Sequence, residues 1–82
     1  MSQDNIKEGI RQFLRESILQ DENIAIKNDT PLISGGLMDS ISTLKMVDFL
    51  EKKFKIEFQP HEVDRENLNT IDLIAEFVTS KM

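Results

Sequence analysis

The sequence predicts an all-α fold, a small four-helix bundle with three main helices, one short helix and a long first loop. Three observations carry this expectation. Apolar residues recur at steps of three and four in three separate segments. Clusters of glycine, proline, asparagine and aspartate part those segments. The one stretch that alternates like a strand, Ile56-Glu57-Phe58-Gln59-Pro60, is short, has no segment to pair with and ends at proline. The 82 residues are read as one domain spanning the whole chain. A domain of this size buries only about 60–65% of the surface its unfolded chain exposes, so its core is small and leaves little room for a deep catalytic cavity.

The first helix is expected over residues 4 to about 19, where Ile6, Ile10, Phe13, Leu14 and Ile18 fall on one face. Ser2 or Asp4 can cap its start, and Gly9 weakens it by about 1 kcal/mol against alanine. From 20 to 39 the periodicity fades among Asn23, Asn28, Asp29, Thr30, Pro31, Ser34, Gly35 and Gly36. Leu32, Ile33 and Leu37 are too apolar for a free linker, so the loop should pack over the core. A short helical turn is expected around 23–27. Loops of this length in compact domains tend to be functional.

The second helix starts at Asp39 and runs to 54 or 55. Projection at about 100° per residue puts Thr43, Met46, Val47, Leu50 and Phe54 on one stripe, assigned to the core. Ile41 and Leu44 fall on the wet side beside Asp48, Glu51 and Lys52, which suggests a contact surface. Ile56 and Phe58 should help close the core from an extended connection. Residues 60–68 can hold one short helix with Val63 and Leu68 facing inward. Asn69 or Thr70 then caps a last helix built on Ile71, Ile74, Ala75 and Val78, with Phe77 adjacent.

Composition removes several function classes. There is no cysteine, hence no disulfide framework, thiolate nucleophile or zinc-finger ligand set; any thiol chemistry has to arrive on a cofactor. Fifteen acidic against ten basic residues give a net charge of −5, and tyrosine and tryptophan are absent, which argues against nucleic acid as a partner. The longest apolar run is far short of a membrane span, and Met1-Ser2-Gln3-Asp4 does not resemble a basic, apolar leader. The expectation is a soluble, cytoplasmic, full-length and monomeric protein.

The stretch richest in chemistry is Gly35-Gly36-Leu37-Met38-Asp39-Ser40-Ile41. It puts the Ser40 hydroxyl at a helix N-terminus, behind a glycine turn and beside an acid, where a phosphate ester would meet the positive end of the helix dipole. The plainer reading of Ser40 is a helix cap and nothing more. A serine nucleophile needs a base, and the sole histidine, His61, lies in a polar connector with no evident orienting partner. His61 is therefore read as a solvated surface residue. Asp64, Glu66 and Asp72 lack the spacing and glycine of a calcium loop and are read as caps and surface; no metal ligands are assigned. Lys52, Lys53 and Lys55 complement the dipole at the end of the second helix.

With these residues in view, the sequence resembles the acyl carrier protein family, which includes peptidyl carriers. Gly36-Leu37-Met38-Asp39-Ser40-Ile41 is similar to the family's Gly–apolar–Asp–Ser–apolar signature. Asp29-Thr30-Pro31-Leu32, Phe54-Lys55-Ile56 and Asn67-Leu68-Asn69-Thr70-Ile71-Asp72 resemble the flanking segments, so the likeness covers about residues 5 to 79. The resemblance implies that Ser40 receives 4′-phosphopantetheine from coenzyme A through a separate, magnesium-dependent phosphopantetheinyl transferase. The arm's thiol would then carry acyl or aminoacyl groups as thioesters between loading and transfer enzymes. The carrier itself would catalyse nothing. Asp39 would help dock the transferase, and Ile41, Leu44, Asp48 and Glu51 on the second helix would be read by partners. The apolar interior, with Met46, could yield to a carried chain.

Two departures point away from the general fatty-acid carriers. Two residues, Leu37 and Met38, stand between glycine and Asp-Ser where those carriers have one, a spacing more like carriers of D-alanine esterification and peptide synthetases. Ser42, Lys45, Lys52 and Lys53 stand where acids would be expected, so a basic enzyme patch would bind this helix less well. The expectation is a specialised acyl carrier in fatty-acid, polyketide or related biosynthesis. Beside it stand an aminoacyl or peptidyl carrier loaded by an adenylating enzyme, and a helical interaction module that has no arm and uses Ser40 only as a cap.

Overall fold

The computed structural model describes residues 3–82. Helix α1 (Gln3–Phe13) runs on into a widened π turn (Leu14–Ile18). Helix α2 (Ser40–Phe54) follows the long loop; a 3₁₀ turn (Pro60–Glu62), a one-turn α3 (Arg65–Leu68) and α4 (Ile71–Lys81) complete the chain. Among the described residues there is no strand. The bundle is the all-α fold expected from the periodicity. Helix α4 packs on α1 and α3, and α2 packs on the π turn.

The apolar stripes meet as the spacing requires. Ile6, Ile10 and Leu14 from the first helix, Met46, Leu50 and Phe54 from α2, and Ile71, Ile74, Ala75 and Val78 from α4 are buried in one core. Phe58 closes one edge, its ring 5.2 Å from that of Phe77; Ile56 packs partly buried beside the same cluster. Asp4 lies inside the first turn of α1 rather than ahead of it, where its charge still suits the dipole; Ser2 lies outside the described residues. The first helix ends where Gln20 turns left-handed at φ 52°, which lets Asp21 N–H donate to the Arg15 carbonyl at 2.9 Å.

Two local expectations are corrected. Residues 23–27 form no helical turn: Lys27 N–H, the donor that would close one on the Asn23 carbonyl, donates instead to Thr30 Oγ1 at 2.8 Å. Arg15 Nε donates to the Ile24 carbonyl at 3.1 Å and Arg11 Nε to the Ile26 carbonyl at 3.0 Å, which straps the irregular segment to the first helix, with Ile26 buried. Residues 60–68 form not one short helix but two separate turns. Asp64 is extended and caps α3 by accepting from Asn67 N–H at 3.0 Å, and a cap that starts a new helix cannot continue the preceding one. Leu68 is buried and Val63 packs against the core from the break.

Of the two residues able to cap α4, Thr70 does so, its Oγ1 accepting from Leu73 N–H at 3.0 Å. Asn69 is thereby free for a different task. The long loop lies on the core through buried Leu32 and Met38, with Ile33 and Leu37 packed at its margin. Its far side is fixed to α4 where Asp72 N–H donates to the Asn28 carbonyl at 3.0 Å. The Asp72 carboxylate meets Lys7 of α1 at 2.9 Å, which ties the start of α4 to the first helix.

Candidate functional site

The site is built around the start of α2. Ser40 is the first residue of the helix, and the cap is the residue before it: Asp39 is extended, and its Oδ1 accepts from Ser42 N–H at 2.8 Å. The backbone carbonyl of Asp39 meanwhile accepts from Thr43 N–H at 2.9 Å and from Thr43 Oγ1 at 2.7 Å. The side-chain cap of α2 is thus Asp39 and not Ser40. Ser40 is exposed, and its hydroxyl makes no hydrogen bond among the described residues. This corrects the reading in which Ser40 serves only as a cap, since the fold gives its hydroxyl no such work.

The glycine turn has two distinct reasons for its two glycines. At Gly35 a Cβ would collide with the backbone carbonyl oxygen of Pro31, so the close approach of the chain to itself demands glycine. Gly36 has open space around it but stands at φ +82°, the left-handed region that L-residues avoid. The turn closes with Gly36 N–H on the Ile33 carbonyl at 3.2 Å, and the Leu32 carbonyl then accepts from both Leu37 N–H at 2.8 Å and Met38 N–H at 2.9 Å. The second residue between glycine and Asp39 is the buried Met38, which pins the chain to the core immediately before the helix begins.

Ser40 opens on a groove of about 550 Å³ between this turn and the α3 region. Ile33, Met38 and Leu44 form one side, Val63 and Arg65 the other. An exposed hydroxyl, a helix N-terminus and an adjoining, mostly apolar groove suit a serine that bears a long phosphate-linked arm. His61 is exposed in the 3₁₀ turn and does not line this groove, and no residue of the groove could act as a histidine base.

The remaining residues expected on the partner face divide by structure. Ile41 and Leu44 are 67% and 61% exposed on α2, as the projection requires. Asp48 is exposed and pairs with Lys52 at 3.0 Å, one turn along. Glu51 is half-buried, and its Oε2 accepts from Phe58 N–H at 2.8 Å, so this carboxylate holds down the connection after α2. No helical projection could have revealed that bond. Lys53 is exposed, with Nζ 6.0 Å from the centre of the half-buried Phe49 ring.

Asp39's carboxyl is held below the usual carboxylate range by the N–H and hydroxyl of Ser42. Glu62 is lowered in the same direction by Gln59 N–H and by Lys81, which it meets at 2.9 Å. A folded-state value below the unfolded one, about 3.9 for aspartate, contributes stability that is present above that value and lost as pH falls through the folded one. The urea midpoint should therefore fall on acidification below about pH 4. Asp39→Asn should flatten part of that decline and leave the share due to Glu62; an unchanged acid slope would exclude Asp39 as a contributor.

The sequence profile described as "Phosphopantetheine attachment site" matches residues 9–78, which takes in the second half of α1, the glycine turn, α2, α3 and most of α4. The chain belongs to this family of phosphopantetheine carriers. It is similar to a D-alanyl carrier protein of Streptococcus suis, 30% identical over 78 residues that cover 95% of this chain and 96% of the relative. A D-alanyl carrier protein of Lactobacillus acidophilus is 31% identical over 74 residues, 90% of this chain and 91% of the relative. One of Lactococcus lactis subsp. cremoris is 38% identical over 53 residues, 65% and 67% of the two chains.

As a phosphopantetheine carrier, the chain bears a covalently attached 4′-phosphopantetheine and is a non-catalytic substrate of a phosphopantetheinyl transferase. Loading and transfer enzymes act on the carried group. No helix among the described residues is long and apolar enough to cross a membrane.

Proposed function

We propose that Ser40 is the attachment residue and that this carrier takes an aminoacyl group, D-alanyl or a close analogue, from an ATP-dependent adenylating enzyme. The observation that carries the site is the exposed Ser40 hydroxyl, released from capping by Asp39 and open to the groove. When bound, the arm supplies the thiol that this cysteine-free chain lacks and holds its cargo as a thioester. The aminoacyl reading is supported by relatives named D-alanyl carrier proteins along nearly the whole chain. The Leu37-Met38 spacing and the basic residues Lys45, Lys52 and Lys53 on α2 support it further. We prefer it to a fatty-acid or polyketide cargo because of the relatives' D-alanyl names. The whole chain would act as one monomeric carrier domain in the cytoplasm, where coenzyme A and ATP are at hand.

Two successive mass measurements test this. Incubation with coenzyme A, magnesium and a phosphopantetheinyl transferase should add one phosphopantetheine. The loaded protein, given ATP and a D-alanine-adenylating enzyme, should then gain one alanyl group. Failure of the second step, with ready acceptance of a malonyl or fatty-acyl group from a transacylase, would return the protein to acyl metabolism.

Partners would dock on the exposed face after Ser40, through Asp39, Ile41, Leu44 and Asp48, with Glu51 contributing only the oxygen left free by Phe58. Leu44→Glu is expected to slow loading by the adenylating enzyme while stability stays within about 0.5 kcal/mol, as for surface substitutions in general. A large fall in melting temperature would mean that Leu44 supports the core after all.

A further inference from the structure

Asn69 lies between α3 and α4, a full helix away in sequence from the glycine turn, yet most of that turn's anchorage comes from it. Its main-chain carbonyl accepts from Leu32 N–H at 2.6 Å. Its Oδ1 accepts from Ile33 N–H at 2.9 Å and Ser34 N–H at 3.0 Å, and its Nδ2 donates to Ser34 Oγ at 3.1 Å. Its own N–H donates to the Arg65 carbonyl at 3.1 Å. One residue therefore joins both walls of the groove, the Ile33 side and the Arg65 side.

We infer that Asn69 is a positioning residue for attachment of the arm: it sets the turn that presents Ser40. The inference rests on the reading of Ser40 as the attachment site. The Asn69 side chain holds Ile33 and Ser34, next to Leu32, whose carbonyl holds Leu37 N–H and Met38 N–H, and buried Met38 leads directly to Asp39 and Ser40. The side chain of Asn69 is not needed to start α4, because Thr70 performs that task. Nor does it fill the core, to which other residues contribute the buried apolar surface. What its amide does is satisfy two consecutive N–H groups of a turn that has no helix or sheet to satisfy them. Two main-chain donors converging on one oxygen fix position as well as distance. With the amide removed, the turn can drift relative to α3, and the hydroxyl drifts with it.

The test compares kcat/KM for arm transfer, read by intact mass with coenzyme A, magnesium and a phosphopantetheinyl transferase. The proteins are the wild type, Asn69→Ala, Asn69→Asp and Thr70→Ala, with Ser40→Ala alongside. Asn69→Ala should transfer about tenfold more slowly or worse, the scale expected when a reacting group is misplaced by a fraction of an ångström to an ångström. Its Leu37 and Met38 amides should also exchange faster with solvent. Asn69→Asp keeps the accepting oxygen, and the Ser34 hydroxyl can donate to it, so its rate should lie within a few-fold of wild type. Thr70→Ala strips the α4 cap without touching the turn and should transfer like wild type.

Equal rates for Asn69→Ala and Thr70→Ala would overturn the inference, as would an aspartate variant as slow as the alanine one. If Asn69→Ala does not fold, Asn69→Gln, which moves the amide by one methylene, must show the same slowing; a wild-type rate there would overturn it too. Loading of Ser40→Ala would instead refute the site assignment itself, so the two failures are distinct.

Discussion

Ser40→Ala is expected to gain no phosphopantetheine under conditions that load the wild type completely, while its stability stays within about 0.5 kcal/mol. The chemical half of this prediction is absolute, because the arm needs an oxygen to which the phosphate can be esterified and alanine has none. The stability half comes from the structure. A serine that capped α2 would cost about 1 kcal/mol on truncation, but the cap is Asp39, whose Oδ1 holds Ser42 N–H. The Ser40 hydroxyl has no partner among the described residues to lose, and alanine is the better helix former at an exposed position. Intact mass and a thermal melt of the same sample check both halves. A variant that still accepts the arm would move the attachment elsewhere; a variant that melts far lower would give Ser40 a structural role that these contacts do not contain.

Gly35→Ala is expected to have the largest effect on the fold of any single methyl group added near the site. The new Cβ would collide with the Pro31 carbonyl oxygen, which is main chain and cannot swing aside as the tip of a side chain could. Overpacking of this sort costs about 1–3 kcal/mol, which for a domain of this size lowers the melting temperature by about 4–8 °C per kcal/mol. The chain between Pro31 and Gly35 must open to relieve the collision, and the paired bonds from Leu37 and Met38 to the Leu32 carbonyl lie just beyond. Loading should therefore slow along with the loss of stability. Gly36→Ala makes the instructive contrast. Nothing crowds that position, and the cost there is only that of the left-handed conformation, about 1–2 kcal/mol. If Gly35→Ala proved the milder of the two, the close approach to Pro31 would not be what demands glycine.

The three helical stripes were legible from spacing alone because that information is local. Residues three and four apart share a face whatever the rest of the chain does, so Thr43, Met46, Val47, Leu50 and Phe54 could be assigned to the core and Ile41 and Leu44 to the surface without a structure. The start of α2 was equally readable, since Asp-Ser before an apolar periodic run is a start signal. Which of the two residues does the capping was not, because aspartate and serine are both good caps and the choice depends on backbone angles. Likewise Asn69 and Thr70 stand together where α4 needs only one cap. That surplus was the one sequence signal that Asn69 had another task.

By itself, then, the sequence determined the all-α class, the core faces and the serine that stands out of the fold at the head of α2. Each depends on interactions within about one or two helical turns. Only the tertiary structure decided how residues 20–39 run, how Glu51 is used and what holds the glycine turn. Arg11 and Arg15 hold the carbonyls of Ile26 and Ile24, Glu51 takes Phe58 N–H, and Asn69 takes the N–H groups of Ile33 and Ser34. These are hydrogen bonds between a side chain and the main chain of a distant or irregular segment, and they leave no period in the sequence. Their partners are chosen by which elements the packed core brings within 3 Å of one another.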